Sequence, residues 1–525
     1  MSKPWLSQYS SFVPTELPLP QASMIDIFEQ TVAANPQSPA IHYFDRTISF
    51  AELNDRADQF AGLLASWDVG YGDRVAISAQ NDPEFLVTQY GAWKRGAIVV
   101  PLSPMFKKKE IGYQLADCGA KVYVAEDSIL QKEAKSVLAE TAVQHIIPLS
   151  EFAAALDAFL PSPKNRVAVM PDDVAYLVYT SGTTGPPKGS ISLHRHIAYN
   201  ANTFRTWFDI GLGDVILGIA PLFHITGIVA QIALSALSGV PLILYHRFDA
   251  WETFRLIEKW KATMAVAAIT AYIALLRDPH AADLSSFTKC CTGGAPVAPA
   301  IVEEFHSRFG VRIHNTYGLT EVNSPSHLTP LGVEGRVDSD SGALAIGLPI
   351  PGCEARIVDL QDASIVLNPG EVGEIALKGP FLFSGYWNKP EATTKAFHVG
   401  WFLNGDVAKM DQDGWFYIVD RKKDMIVASG YKVWPRDVED VLYQHPGVRE
   451  AAVVGVPDPY RGETVKAVIA LRPEFVGKVS ESDIIEFTKQ RMASYKYPRI
   501  VEFVLEIPKT ASGKFLRREL RGSST

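Results

Sequence analysis

Tyr179-Thr-Ser-Gly-Thr-Thr-Gly-Pro-Pro-Lys-Gly189 is the stretch around which the chain is organised. It follows Val174-Ala-Tyr-Leu-Val178, an apolar, β-prone run short enough to be a strand buried on both faces. Beyond the strand come four hydroxyls (Thr180, Ser181, Thr183 and Thr184), three glycines and one lysine. Gly182 and its neighbours let the backbone approach an anion, and successive backbone N–H groups form an anion-holding nest. The hydroxyls add donors for phosphate oxygens and Lys188 adds positive charge. The stretch reads as a triphosphate-holding loop. It is not a Walker A loop, because that pattern places Gly-Lys-Ser/Thr after four spacers, where Gly182 is followed by Pro187-Lys188-Gly189. Taken alone, the composition also fits a flexible Gly/Thr linker.

The surrounding chain has the rhythm of an α/β protein. Ser23 is a candidate N-cap for a helix from Met24, and Ser49-Phe-Ala-Glu52 reads as a capping box. Ile41–Ile48 reads as a hairpin. Arg74–Ser78, a helix around Phe85–Lys94 and Ala97–Val100 then give a βαβ unit, which implies a parallel sheet. Past Asp424 come a helix near Val438–Leu442, strands at Ala451–Val456 and Val465–Ala470, a helix at Ile484–Thr488 and a strand at Ile500–Val504. That is a small α+β domain of ordinary size.

Bulk composition narrows the function classes. The 525 residues call for more than one domain, and 47% apolar with 21% charged residues is the make-up of a soluble globular protein. A net charge of −8 carries no nucleic-acid or membrane signature. Cys118, Cys290, Cys291 and Cys353 show no zinc spacing, which fits a reducing cytoplasm. No signal region or membrane-spanning run is present. Lys107-Lys-Lys109 is a basic cluster whose plain reading is a solvated turn, with a ligand phosphate or an anionic membrane surface as the alternative.

Several further motifs follow the loop in order. Ala220-Pro-Leu-Phe-His-Ile-Thr-Gly227 sets His224 on an apolar stretch, where a satisfied core histidine is the ordinary expectation. Gly293-Gly-Ala-Pro296 leaves room either for close packing or for a ligand. In Asn315-Thr-Tyr-Gly-Leu-Thr-Glu321, Tyr317 offers a stacking face, Thr320 a hydroxyl and Glu321 a hard oxygen suited to Mg²⁺. Gly400–Asp406 and Gly414–Arg421 supply a carboxylate and an arginine. Pro508-Lys-Thr-Ala-Ser-Gly-Lys514 ends in a lysine that would by default be solvent-exposed.

Together these motifs resemble the adenylate-forming superfamily of acyl-CoA synthetases, peptide-synthetase adenylation domains and luciferases, over roughly residues 25–520. The opening residues 4–16 and the segment 441–448 are most similar to bacterial medium- to long-chain fatty acyl-CoA synthetases. The resemblance implies a large N-terminal domain of layered αβ sheets with a small β subdomain (residues 1–421) and a mobile C-terminal lid (422–525) hinged near Lys423. It implies ATP, Mg²⁺ and coenzyme A as cofactors. Thr180, Ser181, Gly182, Thr183, Thr184, Lys188, Gly294, Ala295, Pro296, Asn315, Thr316, Tyr317, Gly318, Thr320, Asp406, Ile418, Arg421, Ser429, Gly430 and Tyr431 would contact nucleotide or CoA. His224, Thr226, Ile228, Ala267, Cys291, Gly294 and Gly318 would line the acyl pocket. Catalytic roles fall to Lys514, His224, Thr320 and Glu321, with Glu321 on the metal. Ile228 stands where some long-chain enzymes carry a bulky aromatic gate, which implies a roomier tunnel. The implied reaction joins a carboxylic acid to CoA through an acyl-adenylate.

Alternatives stay open at this level. They are an aryl, alicyclic or terpenoid acid as substrate, a carrier protein as acceptor, a homodimer, peripheral membrane contact, and a non-catalytic nucleotide-binding protein. An amino-acid substrate is disfavoured, because Phe223–Gly227 supplies no carboxylate for an ammonium group.

Overall fold

The computed structural model describes residues 3–180, 186–339, 342–422, 424–428, 431–459, 461–509 and 515–521. The protein is mixed α/β, as the motifs imply. It forms two compact units. The first comprises Met1–Gly335, Ile346–Glu354 and Lys378–Phe397; the second comprises Arg336–Ala345, Ala355–Leu377 and His398–Thr525.

Two sheets build the first unit. In one, strands His145–Pro148, Val122–Ala125, Arg74–Ser78, Ile98–Pro101 and Val174–Thr180 run parallel in that spatial order, and Lys188–Leu193 closes the edge antiparallel. Parallel neighbours need crossovers, and helices Pro83–Lys94 and Lys108–Cys118 supply them. All of Pro83–Lys94 except Glu84 is buried, which is why this helix shows no clear polar face. The other sheet has nine strands. Its centre (Ile313–Tyr317, Lys289–Gly293, Met264–Ala267, Ile216–Leu217, Leu242–Leu244, Pro39–Tyr43) is parallel, with antiparallel strands at both edges.

Local chemistry sets the helix starts. The Ser23 hydroxyl accepts the Asp26 amide at 3.2 Å while the Asp26 carboxylate accepts the Ser23 amide at 3.2 Å, a capping box that adds about 1 kcal/mol to helix Met24–Ala34. At Ser49 only half of the expected box forms. Its hydroxyl accepts the Glu52 amide at 3.1 Å, but the Glu52 carboxylate turns to the Arg46 guanidinium instead.

The second unit carries two smaller sheets. One pairs Gly373–Lys378 with the long strand Trp401–Met410, which also pairs with Phe416–Arg421. The other sets Val448–Asp458, Gly462–Leu471, Ile426–Ala428 and Tyr431–Val433 side by side, with Ile500–Phe503 parallel to Gly462–Leu471. Helices Pro435–Leu442 and Glu481–Lys489 accompany it, and its core gathers Ile426, Val438, Leu442, Val453, Ile469 and Ile484. This unit is larger than the 422–525 segment read from the sequence. It takes in the paired strands Gly373–Lys378, Trp401–Met410 and Phe416–Arg421, and Arg436 ties the last of them to helix Pro435–Leu442, its amide donating to Asp420 Oδ2 at 2.8 Å and its guanidinium to the Ile418 carbonyl at 2.9 Å. Among the described residues no helix is long and apolar enough to cross a membrane.

Candidate active site

The strands that flank the expected phosphate loop pair antiparallel. Thr180 ends one strand and stands opposite Lys188, which begins the next. Ser181, Gly182, Thr183 and Thr184 lie outside the described residues.

The outer edge of strand Lys188–Leu193 is covered by the segment 384–387. Trp387 N donates to Gly189 O at 2.7 Å, Ile191 N to Gly385 O at 2.9 Å, and Ser384 N to Ile191 O at 3.0 Å. This segment carries Tyr386, which bridges Ser190. The Lys188 ammonium lies 4.2 Å from the Tyr386 ring centroid, a cation–π contact. The Tyr386 hydroxyl donates to Glu321 Oε1 at 2.7 Å. Burial first, and then the Glu321 carboxylate, raise the Tyr386 phenol well above its ordinary range, so it stays a donor.

Glu321 arrives from the other sheet. Strand Ile313–Tyr317 runs into the 3₁₀ turn Thr320–Val322, which lies against strand Val174–Thr180 and so brings Thr320 and Glu321 beside the stem of the phosphate loop. The buried Asn200 amide clamps the turn, donating to the carbonyls of Val322 (2.9 Å), Asn323 (3.0 Å) and Pro325 (3.1 Å). Asn323, in the left-handed region at φ 51°, adds a bond from its side-chain amide to Phe381 O at 2.9 Å. A buried carboxylate held by one phenol, with further lone pairs to offer, has the chemistry of a Mg²⁺ ligand.

The strand ends beside this turn form the next wall. Gly293 stands opposite Thr316, and a Cβ on Gly293 would meet Thr316 O at 2.3 Å, so only glycine lets the two strands run on to Gly294-Ala295-Pro296 at this spacing. Asn315 and Thr316 are buried, and Tyr317 is half-buried with its ring edge-on to His327 at 5.7 Å. Gly318 packs on Ser324 and Pro325. The hydroxyls of Thr292 and Thr316 are buried without a hydrogen-bond partner, leaving donors at this wall.

His224 caps the turn Ile225–Gly227. Its Nδ1 accepts the Thr226 amide at 3.3 Å, which puts the proton of the neutral ring on Nε2. Thr226 Oγ1 lies 3.5 Å from Ser324 Oγ, so the histidine turn abuts the turn that follows Glu321. Gly227 closes the bend, since a Cβ there would lie 2.2 Å from Pro221 O. Ile228, Ala267 and Cys291 are buried, and burial holds the Cys291 thiol well above its ordinary value.

The second unit gathers the remaining predicted residues. Asp406 is buried on strand Trp401–Met410, opposite Arg421 in register, with Ile418 opposite Ala408. Buried Glu374 holds this hairpin. One oxygen accepts the Gly405 amide at 3.0 Å and the other the Lys422 ammonium at 2.8 Å. Tyr431 is exposed and stacks on Tyr495 at 4.6 Å. Lys423, Ser429, Gly430 and Lys514 lie outside the described residues. The chain on both sides of them is anchored. Arg517 donates to both Glu439 oxygens at 2.7 and 2.8 Å, and Asp424 lies 3.7 Å from Arg517 and 3.1 Å from Arg521.

Sequence reasoning missed Tyr386, Asn200 and Glu374. Gly385-Tyr386-Trp387 did carry a signal, an aromatic pair beside a glycine. An asparagine inside the buried helix His194–Trp207 carried another, because a buried amide needs partners.

Comparison with known proteins gives the family. Residues 28–387 match the AMP-binding enzyme family and residues 437–514 match the AMP-binding enzyme C-terminal domain. A long-chain-fatty-acid–CoA ligase of Bacillus subtilis (strain 168) is 34% identical over 565 aligned positions, covering 100% of this chain and 98% of the relative. A feruloyl-CoA synthase of an Amycolatopsis species is 34% identical, covering 93% of this chain and 96% of that one. The solved o-succinylbenzoate CoA synthetase of Bacillus subtilis, in complex with its acyl-adenylate intermediate, superposes with a TM-score of 0.85 at 29% identity, covering 97% and 99%. With its N-terminal and C-terminal parts both matched, the chain belongs to the AMP-binding enzyme family.

Proposed function

We propose that this protein is an AMP-forming acyl-CoA synthetase that activates long-chain fatty acids. The observation that carries the proposal is the convergence of Lys188, Thr320 and Glu321 at the stem of the phosphate loop, in a chain aligned end to end with a long-chain-fatty-acid–CoA ligase.

The reaction has two steps. The substrate carboxylate attacks the α-phosphorus of ATP, forming a P–O bond as pyrophosphate leaves. The CoA thiolate then attacks the acyl carbon and AMP leaves. No covalent enzyme intermediate is needed, so the protein positions groups and neutralises charge. Thr180 to Thr184 and Lys188 hold the phosphates, Thr320 contacts the α-phosphate, and Tyr317 stacks on adenine. Asp406 accepts both ribose hydroxyls, with Ile418 and Arg421 beside it. Glu321 would hold Mg²⁺, which supplies further neutralisation of the phosphates. The Nε2–H of His224 faces the task of orienting the substrate carboxylate, with Thr226, Ile228, Ala267, Cys291 and Gly318 around the acyl chain. Lys514 bridges carboxylate and α-phosphate in the first step. Rotation about Lys423 then withdraws it and brings Ser429, Gly430 and Tyr431 to the site for the second. A cytoplasmic location belongs to this reading, because ATP and CoA are both available there.

A second reading, an aryl acid as substrate, is favoured by the 34% identity to a feruloyl-CoA synthase. The deciding experiment scores ATP-dependent pyrophosphate release and acyl-CoA formation separately across linear fatty, aryl and alicyclic acids with Mg²⁺. Both products from linear long-chain acids are expected. Both products from ring-containing acids alone would replace the substrate class. Pyrophosphate without thioester would point to a carrier protein as acceptor, and no product from any acid, with ATP still bound, would point to a non-catalytic nucleotide binder.

A further inference from the structure

Lys188 and Glu321 carry opposite charges and both touch one side chain, Tyr386. In a half-buried setting, an ammonium and a carboxylate that share a contact can pair directly. Among the described residues no ion pair joins them. The ammonium sits over the face of the Tyr386 ring and the carboxylate takes its hydroxyl, so the two charges are engaged at different parts of one rigid group. We propose that Tyr386 is a positioning residue that keeps Lys188 and Glu321 from neutralising each other, leaving the lysine open to phosphate and the carboxylate open to a divalent cation.

The placement is built into the backbone. Tyr386 bridges Ser190 across the hairpin edge, its amide donates to Thr393 Oγ1 at 2.9 Å, and its side chain is buried. The Phe383 amide holds the Glu321 carbonyl at 2.8 Å, so the segment that carries the phenol also fixes the main chain of its acceptor. These bonds fix the ring and the main chain of Glu321 relative to each other.

The inference rests on the reading of Lys188 as a phosphate contact and Glu321 as a metal ligand, and the test separates the two. Binding of α,β-methylene ATP is measured by calorimetry, in EDTA and with Mg²⁺, for the wild type, Tyr386→Phe, Glu321→Gln and the double variant. Tyr386→Phe keeps the ring and removes only the hydroxyl. In EDTA it is expected to bind the analogue about tenfold more weakly than the wild type, because the released carboxylate pairs with Lys188. Glu321→Gln in the same background removes that carboxylate charge and should restore binding. A purely structural role for Tyr386 would show no such rescue. Unchanged binding by Tyr386→Phe, or a double variant as weak as Tyr386→Phe, would overturn the inference. A Glu321→Gln protein with wild-type Mg²⁺ dependence would refute only the metal role of Glu321, since the EDTA series still decides Tyr386. A wild type that binds no analogue in either condition would overturn both.

Discussion

The two compact units hold their functional groups by different means. In the first, Glu321, Thr320, Tyr317 and Lys188 stand on strand ends and tight turns pinned by backbone and neutral side-chain hydrogen bonds: Asn200 on three carbonyls, Tyr386 on Glu321, and segment 384–387 on Gly189 and Ile191. In the second, the stretches on either side of the expected moving residues are held by ion pairs, Glu374 with Lys422, Asp424 with Arg517 and Arg521, and Glu439 with Arg517. Neutral hydrogen bonds in a close-packed interior fix one geometry. Charged pairs fix the second unit at residues that flank the expected moving ones.

Acid separates the units most strongly. Burial pushes His194, His196 and His327 down to about 3 and His42 and His314 down to about 4, and all five belong to the first unit. In the unfolded chain these rings take up protons below the ordinary histidine value of 6.5, while the folded ones do not. The unfolded state therefore binds more protons, and stability is fully present above pH 6.5 and falls as pH drops toward the folded values. The loss is on the order of 1 kcal/mol for each histidine near about pH 5.5. Hydrogen exchange followed by mass spectrometry over an acid series should show first-unit peptides losing protection before those of the second. Simultaneous loss would erase the contrast.

Lys514→Ala should slow adenylate formation by about a hundredfold to a thousandfold while leaving thioester formation from supplied acyl-adenylate intact, because the charge it neutralises develops only in the first step. Rapid-quench assays of each half-reaction read this out, and equal loss in both would remove the lysine from that role. Arg517→Met leaves the buried Glu439 without its cation and should destabilise the second unit by about 2 kcal/mol in chemical denaturation, less than for a fully buried pair because the guanidinium is partly exposed. The weakest of these effects is expected from Asp406→Ala, a roughly tenfold loss in ATP affinity with little change in turnover at saturating ATP. Unchanged ATP affinity would take Asp406 out of the ribose site.

The legible parts of the molecule were those in which chemistry and neighbours are close in sequence. The strand before the Gly/Thr loop, the Ser23 cap and the strands at 451–456, 465–470 and 500–504 all follow from short-range patterns. Tyr386 reaches Glu321 across 65 residues, Asn200 reaches Val322 across 122, and Glu374 reaches Gly405 across 31. None of these three belongs to a phosphate-binding or acid–base pattern, because each acts by holding another residue. That the second unit takes in residues before 421 was hidden for a similar reason. Arg436 binds back to Ile418 and Asp420, so the compact unit extends past the point where the sequence changes character.

Attack of a carboxylate oxygen on the α-phosphorus is the step on which every assigned role depends, and isotope labelling tests it directly. A fatty acid carrying ¹⁸O in both carboxylate oxygens is turned over with ATP, Mg²⁺ and CoA, and the products are weighed by mass spectrometry. Adenylate formation places one ¹⁸O in AMP and none in pyrophosphate, with the other oxygen kept in the thioester. Label in pyrophosphate or inorganic phosphate, or AMP without label, would contradict it.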